Sequence, residues 1–287
     1  MTSLKDFLMD GLTALEPLYP AEEARNILMT LCESRLGVAR YAYITDPDFP
    51  VEESSGIFKD LERLSKGEPL QYVLGHAEFR GRRFKVTPDV LIPRPETESL
   101  CEEALKIPAK RILDLCSGSG CITWTMALES KGAETYGIDI SPAALEVARS
   151  QDFSSEIEAT GARKPVFLEY DILREEIPFE PGTFDLILSN PPYIMESQKE
   201  SMRPNVVDFE PHLALFVPDG DPLVFYRAVA RGSKRLLSPG GAGLVEINED
   251  LGSGTRDVFL ESGFSQVKIL NDFFGKNRFV LFTKQAL

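Results

Sequence analysis

Apolar side chains recur at three- and four-residue steps near the start of the chain: Leu4, Phe7, Leu8, Leu12 and Leu15, then Ala24, Ile27, Leu28 and Leu31. That spacing gathers them on one face of a 3.6-residue helix and predicts a helical region as far as Ser65. Pro20 and Pro50 each stand where a new helix can begin. Residues 78–85 alternate weakly around Gly81, the pattern of a β-hairpin. From Leu91 onward the rhythm changes to short apolar runs alternating with helical stretches, which predicts an α/β domain with a parallel sheet covered on both faces. The tail departs from it: a strand at 243–247, a helix near 250–262, then strands at 267–270 and 278–283. The last two are too close for a crossover, so they predict a hairpin and one antiparallel strand. The organisation expected is a helical domain over 1–75, a linking hairpin over 76–89 and an α/β domain over 90–287.

Composition narrows the class without naming it. The 287 residues are 43% hydrophobic and 26% charged, ordinary for a globular protein and enough for one large core and one small one. Asp6 and Asp10 interrupt the first twenty residues, so neither a signal peptide nor a membrane span is expected and a cytoplasmic location is. Cys32, Cys101, Cys116 and Cys121 lack CxxC spacing, and His76 and His212 are too few and too separated to complete a metal site. The cysteines read as small apolar fillers.

Chemistry concentrates in Asn190-Pro191-Pro192-Tyr193, directly after the apolar run 184–189. Both prolines lack an N–H and fix φ, so the strand must end there in a rigid turn. Prolines alone would suit a purely structural turn. With Asn before and Tyr after, the turn also offers carbonyl acceptors and one carboxamide, the groups needed to grip a planar –NH2 on an sp2 carbon. Such nitrogens are poor nucleophiles, and accepting from both N–H groups aims the lone pair at an electrophile and stabilises the charge that develops.

The electrophile has its own signature. Strand 111–115 runs into Cys116-Ser117-Gly118-Ser119-Gly120, and a helical stretch opens at Cys121. A small-residue turn at a helix N-terminus lets a ligand approach backbone N–H groups. Asp139 closes the next strand, where a carboxylate suits two ribose hydroxyls. A dinucleotide fingerprint would need glycine at Thr123, and a nucleophile elbow would need glycine at Ser117, so both readings fail. Asp114 before the turn suits a cofactor with a cationic amino-acid end rather than a pyrophosphate. S-adenosylmethionine fits best. Asp171, after the run 165–170, would then reach the adenine amine with Ile172 packing on the ring; its structural alternative is a turn former or helix cap.

With these motifs the chain resembles the release-factor glutamine N5-methyltransferases (the PrmC/HemK family). The resemblance also rests on Pro69-Leu70-Gln71-Tyr72-Val73-Leu74-Gly75, on Glu78-Phe79-Arg80-Gly81 and on Ile92-Pro93-Arg94-Pro95-Glu96-Thr97-Glu98. Glu210-Pro211-His212-Leu213-Ala214-Leu215, Asp219-Gly220, Tyr226-Arg227, Gly275 and Arg278 extend it nearly end to end. It implies the class I methyltransferase fold, α/β with a seven-stranded mostly parallel sheet and a last antiparallel hairpin, plus a small N-terminal helical domain. It implies S-adenosylmethionine held by Asp114, Cys116, Ser117, Gly118, Ser119, Gly120, Asp139, Ile140, Asp171, Ile172 and Asn190. Asn190, Pro191, Pro192 and Tyr193 would be catalytic, and a glutamine in the GGQ motif of class 1 peptide chain release factors would be methylated. Apart from the resemblance, a monomer is the default expectation for action on a protein partner. Cys116 departs from the glycine common in the family; its side chain must turn from the ligand or narrow the pocket, touching affinity rather than activity.

Under this reading Asn190 accepts one substrate N–H, the Pro191 carbonyl accepts the other, and Tyr193 packs on the substrate side chain. The competing reading is a nucleic-acid methyltransferase acting on N6 of adenine or N2 of guanine, which the same tetrad also serves. A net charge of −14 and a pI near 4.8 weigh against it. The densest basic cluster, Arg80-Gly81-Arg82-Arg83-Phe84-Lys85, is short and reads as solvated hairpin surface. One glutamine side chain buries too little area to select a single protein, so the N-terminal helices are the expected recognition surface.

Overall fold

Seven strands form the central sheet of the computed structural model, which describes residues 2–174, 176–272 and 275–286. They are β1 (Arg111–Leu115), β2 (Glu134–Asp139), β3 (Val166–Glu169), β4 (Phe184–Ser189), β5 (Leu237–Glu246), β6 (Gln266–Asn271) and β7 (Asn277–Thr283). Their spatial order is β6-β7-β5-β4-β1-β2-β3. β7 is antiparallel to both of its neighbours, while β5, β4, β1, β2 and β3 pair in parallel. This is the sheet that the class I methyltransferase resemblance implies.

Successive residues of the central strands serve opposite faces. Ile112, Leu186, Leu188 and Leu244 enter one core, with Leu100, Trp124 and Leu145 from the helices Pro95–Leu105, Cys121–Glu129 and Pro142–Arg149. Leu113, Leu115, Ile187 and Val245 enter the other, with Tyr226, Val229 and Phe259 from Val224–Leu236 and Gly252–Glu261. Two buried faces explain why these strands read as continuous apolar runs rather than alternating ones. The chain winds from β1 out to β3 and then returns to lay β4 on the other side of β1. Leu115 stands level with Ile138 and Ser189, so β1, β2 and β4 end together at a crevice where the winding reverses.

The chain divides into two compact units, one running to His76 and including Arg203–Phe209, the other holding Ala77–Met202 and Glu210–Leu287. In the first unit the periodic positions Leu4, Phe7, Leu8, Leu15, Ala24, Leu28 and Leu31 are buried together on helices Leu4–Leu15 and Ala21–Leu36. Pro20 does precede a helix. Pro50 does not: it pairs with Ser3 in a two-residue antiparallel ladder, an edge position that tolerates its missing N–H. Arg203, remote in sequence, joins this unit through an ion pair to Glu23 at 2.6 Å.

The hairpin forms as expected, from His76–Phe79 and Arg82–Lys85, but its arginines are not simply solvated. Arg80 and Arg82 both reach Glu129, at 2.7 and 2.5 Å, and Arg82 also meets Glu156 at 2.9 Å. Only Arg83, paired with Glu78, stays well exposed. The alternation around Gly81 could not show this, because the carboxylates come from helices far along the chain.

Candidate active site

A cavity of about 300 Å³ lies at the carboxyl ends of the central strands. The turn after β1 supplies Cys116, Ser117, Gly118 and Ser119 to its wall. Asp139 and Ile140 come from the end of β2, Asp171 and Ile172 from beyond β3, and Asn190 and Pro192 from beyond β4. Four strand ends thus bring together most of the residues singled out from sequence.

The turn is built on alternating backbone hand: Cys116, Gly118 and Gly120 have φ of 64°, 50° and 78°. Glycine adopts this region freely, whereas a side chain there is strained. Cys116 is therefore a cysteine in a glycine conformation; it contributes to the cavity wall and packs against the core on the Leu113 side, and burial pushes its thiol pKa up. Gly120 does not line the cavity. A Cβ there would lie 3.0 Å from Phe167 and 3.1 Å from Ala148, so its task is conformation and packing.

Asp139 clasps the turn. Its Oδ2 accepts from the Gly118 N–H at 2.8 Å and its Oδ1 from the Ser141 N–H at 2.9 Å. Each carboxylate oxygen keeps a second lone pair for a ligand. Burial raises its pKa while these N–H donors pull it down. Asp171 accepts from the Leu173 N–H at 2.8 Å and heads a turn, so the turn-forming role is present beside its place on the cavity wall.

Asp114 stands behind the wall, not in it. Its Oδ2 accepts from the Thr123 hydroxyl at 2.7 Å, while Oδ1 is buried with no partner among the described residues. Burial pushes this carboxyl up to about 7. Thr123 occupies the place a dinucleotide fingerprint reserves for glycine, and here its hydroxyl is used to hold Asp114.

The Asn-Pro-Pro-Tyr turn is tied down by two residues that sequence reasoning did not assign. Asn190 Nδ2 donates to Thr97 Oγ1 at 3.1 Å, and the Thr97 hydroxyl donates to Glu246 Oε2 at 2.8 Å. The Tyr193 hydroxyl donates to the other oxygen, Glu246 Oε1, at 3.1 Å. Tyr193 and Pro191 do not line the cavity; the tyrosine ring packs against the core on the Leu113 side. Glu246 is 1% exposed. The one legible signal is a glutamate inside the apolar run Gly243-Leu244-Val245-Glu246-Ile247, since a buried acid needs partners.

Glu210 joins two further wall segments. It pairs with Arg94 at 2.5 Å and accepts from the Ile92 N–H at 3.1 Å, which fixes Pro93 and Arg94 beside Pro211 and Leu213.

Comparison with known proteins follows the same division of the chain. Residues 107–247 match the family description "Methyltransferase domain", and residues 8–75 match "PrmC N-terminal domain". A release factor glutamine methyltransferase of Bacteroides thetaiotaomicron is 39% identical over 271 residues, 92% of this chain and 94% of that protein. The chain belongs to the release factor glutamine methyltransferase family. Another member, from Neisseria gonorrhoeae, is 41% identical over 268 residues, 91% of this chain and 93% of its own. A solved methyltransferase from Pyrococcus furiosus superposes with a TM-score of 0.50 at 17% identity, covering 72% of this chain and 91% of that one, a likeness of fold. The matched methyltransferase domain supplies most of the cavity wall, and the segment 89–97 that precedes it supplies the rest. Among the described residues no helix is long and apolar enough to cross a membrane.

Proposed function

We propose that this protein transfers a methyl group from S-adenosylmethionine to the side-chain amide nitrogen (N5) of a glutamine in class 1 peptide chain release factors, and so supports translation termination. The observation that carries the reading is the Asn190 carboxamide at the cavity wall. Its nitrogen is committed to Thr97, and its oxygen has no partner among the described residues. That oxygen accepts one N–H of the substrate amide. Holding that proton in the plane of the amide directs the nitrogen lone pair and stabilises the charge it develops. Orientation of this kind can supply up to ~7–11 kcal/mol. No general base is required, because the methylated amide nitrogen is acidic and gives its proton to water.

S-adenosylmethionine supplies an already activated methyl group when bound. The cavity suits it in size and chemistry. Asp139 has lone pairs left for ribose hydroxyls and Asp171 for the adenine amine, while Ile140 and Ile172 offer apolar surface to the ring. The Cys116-Ser117-Gly118-Ser119 turn gives close backbone approach. Asp114, behind the wall, acts on the cationic amino-acid end through its charge, and a nearby cation would favour its ionised form.

A protein acceptor is favoured over nucleic acid because the charges of Arg80 and Arg82 are already met by Glu129 and Glu156. The deciding experiment incubates the protein with methyl-labelled S-adenosylmethionine and, separately, a release factor, tRNA, rRNA and DNA. Label is expected on the release factor, at glutamine. Label on a nucleic acid and none on the release factor overturns the proposal.

A further inference from the structure

We infer that Glu246, acting through Thr97, sets which edge of the Asn190 carboxamide faces the substrate, an inference that rests on reading the cavity as a glutamine-amide site. An ionised carboxylate only accepts hydrogen bonds. Glu246 therefore accepts a hydrogen bond from the Thr97 hydroxyl at Oε2 and one from the Tyr193 hydroxyl at Oε1. With its one proton spent, Thr97 Oγ1 can only accept, and Asn190 must turn its Nδ2 toward it. A planar carboxamide so held presents Oδ1, its acceptor, on the other edge. Glu246 and Thr97 are positioning residues; neither needs to touch the substrate.

Protonation runs the chain backwards. A proton taken from solvent onto Oε2 lets the acid O–H donate to Thr97 Oγ1. The Thr97 hydroxyl then turns to donate to Asn190, which accepts only by rotating its amide half a turn. Nδ2 would then face the cavity, a donor set against the donors of the substrate amide. No covalent bond changes apart from the added O–H. The groups around Glu246 are Thr97 and Glu96 on one helix, Cys121 on a second, Tyr226 on a third, Tyr193 on the turn and Arg278 on β7. Burial, opposed by the two hydroxyl donors, pushes the Glu246 carboxyl up to about 7, with Glu96 raising it further and Arg278 lowering it. The two chain directions therefore exchange near neutral pH.

The test compares the parent with Glu246→Gln, Thr97→Ser and Thr97→Val, measuring kcat on a release factor between about pH 5.5 and 9 at saturating cofactor. The parent rate should fall about tenfold per pH unit below the Glu246 titration. Glu246→Gln should lose that acid limb, because glutamine offers the same two edges at every pH. Thr97→Ser should keep the parent profile, and Thr97→Val should lose roughly 100-fold in kcat, a cost typical of misplaced groups, with little change in cofactor KM. In parallel, the Asn190 side-chain amide resonances, assigned by their loss in Asn190→Asp, should titrate with the same midpoint in the parent and stay fixed in Glu246→Gln. An acid limb retained by Glu246→Gln, or equal turnover by Thr97→Val and Thr97→Ser, overturns the inference. A release factor left unlabelled while the Asn190 amide still titrates removes the function and leaves the relay standing.

Discussion

Asn190, Cys116 and Asp114 each place a different demand on one residue. Removing the Asn190 amide takes away a preorganised acceptor and leaves Asp139, Ile140, Asp171 and Ile172 in the cavity wall. Asn190→Ala should cut kcat by roughly 10²–10³, the loss seen for one oxyanion-type group, while calorimetry finds cofactor affinity little changed. Equal turnover would sink the assignment. At Cys116 the backbone asks for glycine, with φ at 64°. Cys116→Gly should therefore match or exceed the parent in stability by up to about 1 kcal/mol, whereas Cys116→Val should cost about 1–3 kcal/mol because a β-branched residue resists that region. Thermal unfolding of the two variants checks the sign. Asp114 has a folded pKa raised to about 7. The native state thus holds a proton that the unfolded chain has released, and stability falls as pH rises from about 4 to 7. Asp114→Asn removes that dependence, so its Tm relative to the parent should climb over the same interval and level off above it. A flat difference across pH would show that the carboxyl is not buried in this way.

At the scale of elements, the hairpin 76–85 is fastened by charge. Glu129 serves Arg80 and Arg82 at once, and all three side chains are less than a quarter exposed. Glu129→Ala leaves Arg80 without its carboxylate and Arg82 with Glu156 alone, and should cost about 1–3 kcal/mol in urea unfolding, in the range for hydrogen bonds to charged groups. Glu78→Ala removes only the exposed pair with Arg83 and should change stability by less than about 1 kcal/mol. Similar losses would mean that the buried pairing is not what fastens the hairpin. Elements also show which parts of the fold are legible in sequence. The helical face from Leu4 to Leu31 and the seven strands follow from local period, because burial of one stripe or two faces acts on neighbouring residues. Pro50 reads as a helix start and is an edge strand, since only a distant partner, Ser3, decides between the two.

For the whole molecule, the helical region and the methyltransferase domain are matched by separate family descriptions, and a division of labour is proposed between them. A fragment starting near Glu78 should bind S-adenosylmethionine and methylate a short glutamine peptide, yet act poorly on the intact release factor. Steady-state kinetics with both substrates would measure it, and undiminished activity on the full-length factor would remove the N-terminal helices as the recognition surface. The segment Arg203–Phe209 belongs to the same compact unit as those helices, so the fragment also loses the carboxylate of Glu23 that meets Arg203. Arg203→Ala in the full chain separates that loss from the loss of the helices.

The sequence by itself determined the sheet, the turn after β1 and the Asn-Pro-Pro-Tyr turn, because each depends on residues adjacent in the chain: apolar runs, glycines that permit positive φ, prolines that end a strand. It also brought out Asp139, Asp171 and Ile172, each placed by the end of its own strand. Only the tertiary structure decided that Asp114 lies behind the cavity wall, that Tyr193 turns its hydroxyl to Glu246, and that Glu210 clasps Arg94. The orientation of the Asn190 amide belongs to the same class. It depends on Thr97 and Glu246, which lie 93 and 56 positions away and meet it only when helix Pro95–Leu105 packs against β5 beside β4. Hydrogen bonds between such distant residues leave no local period, since their partners are chosen by packing and by the cost of leaving a buried polar group unmatched.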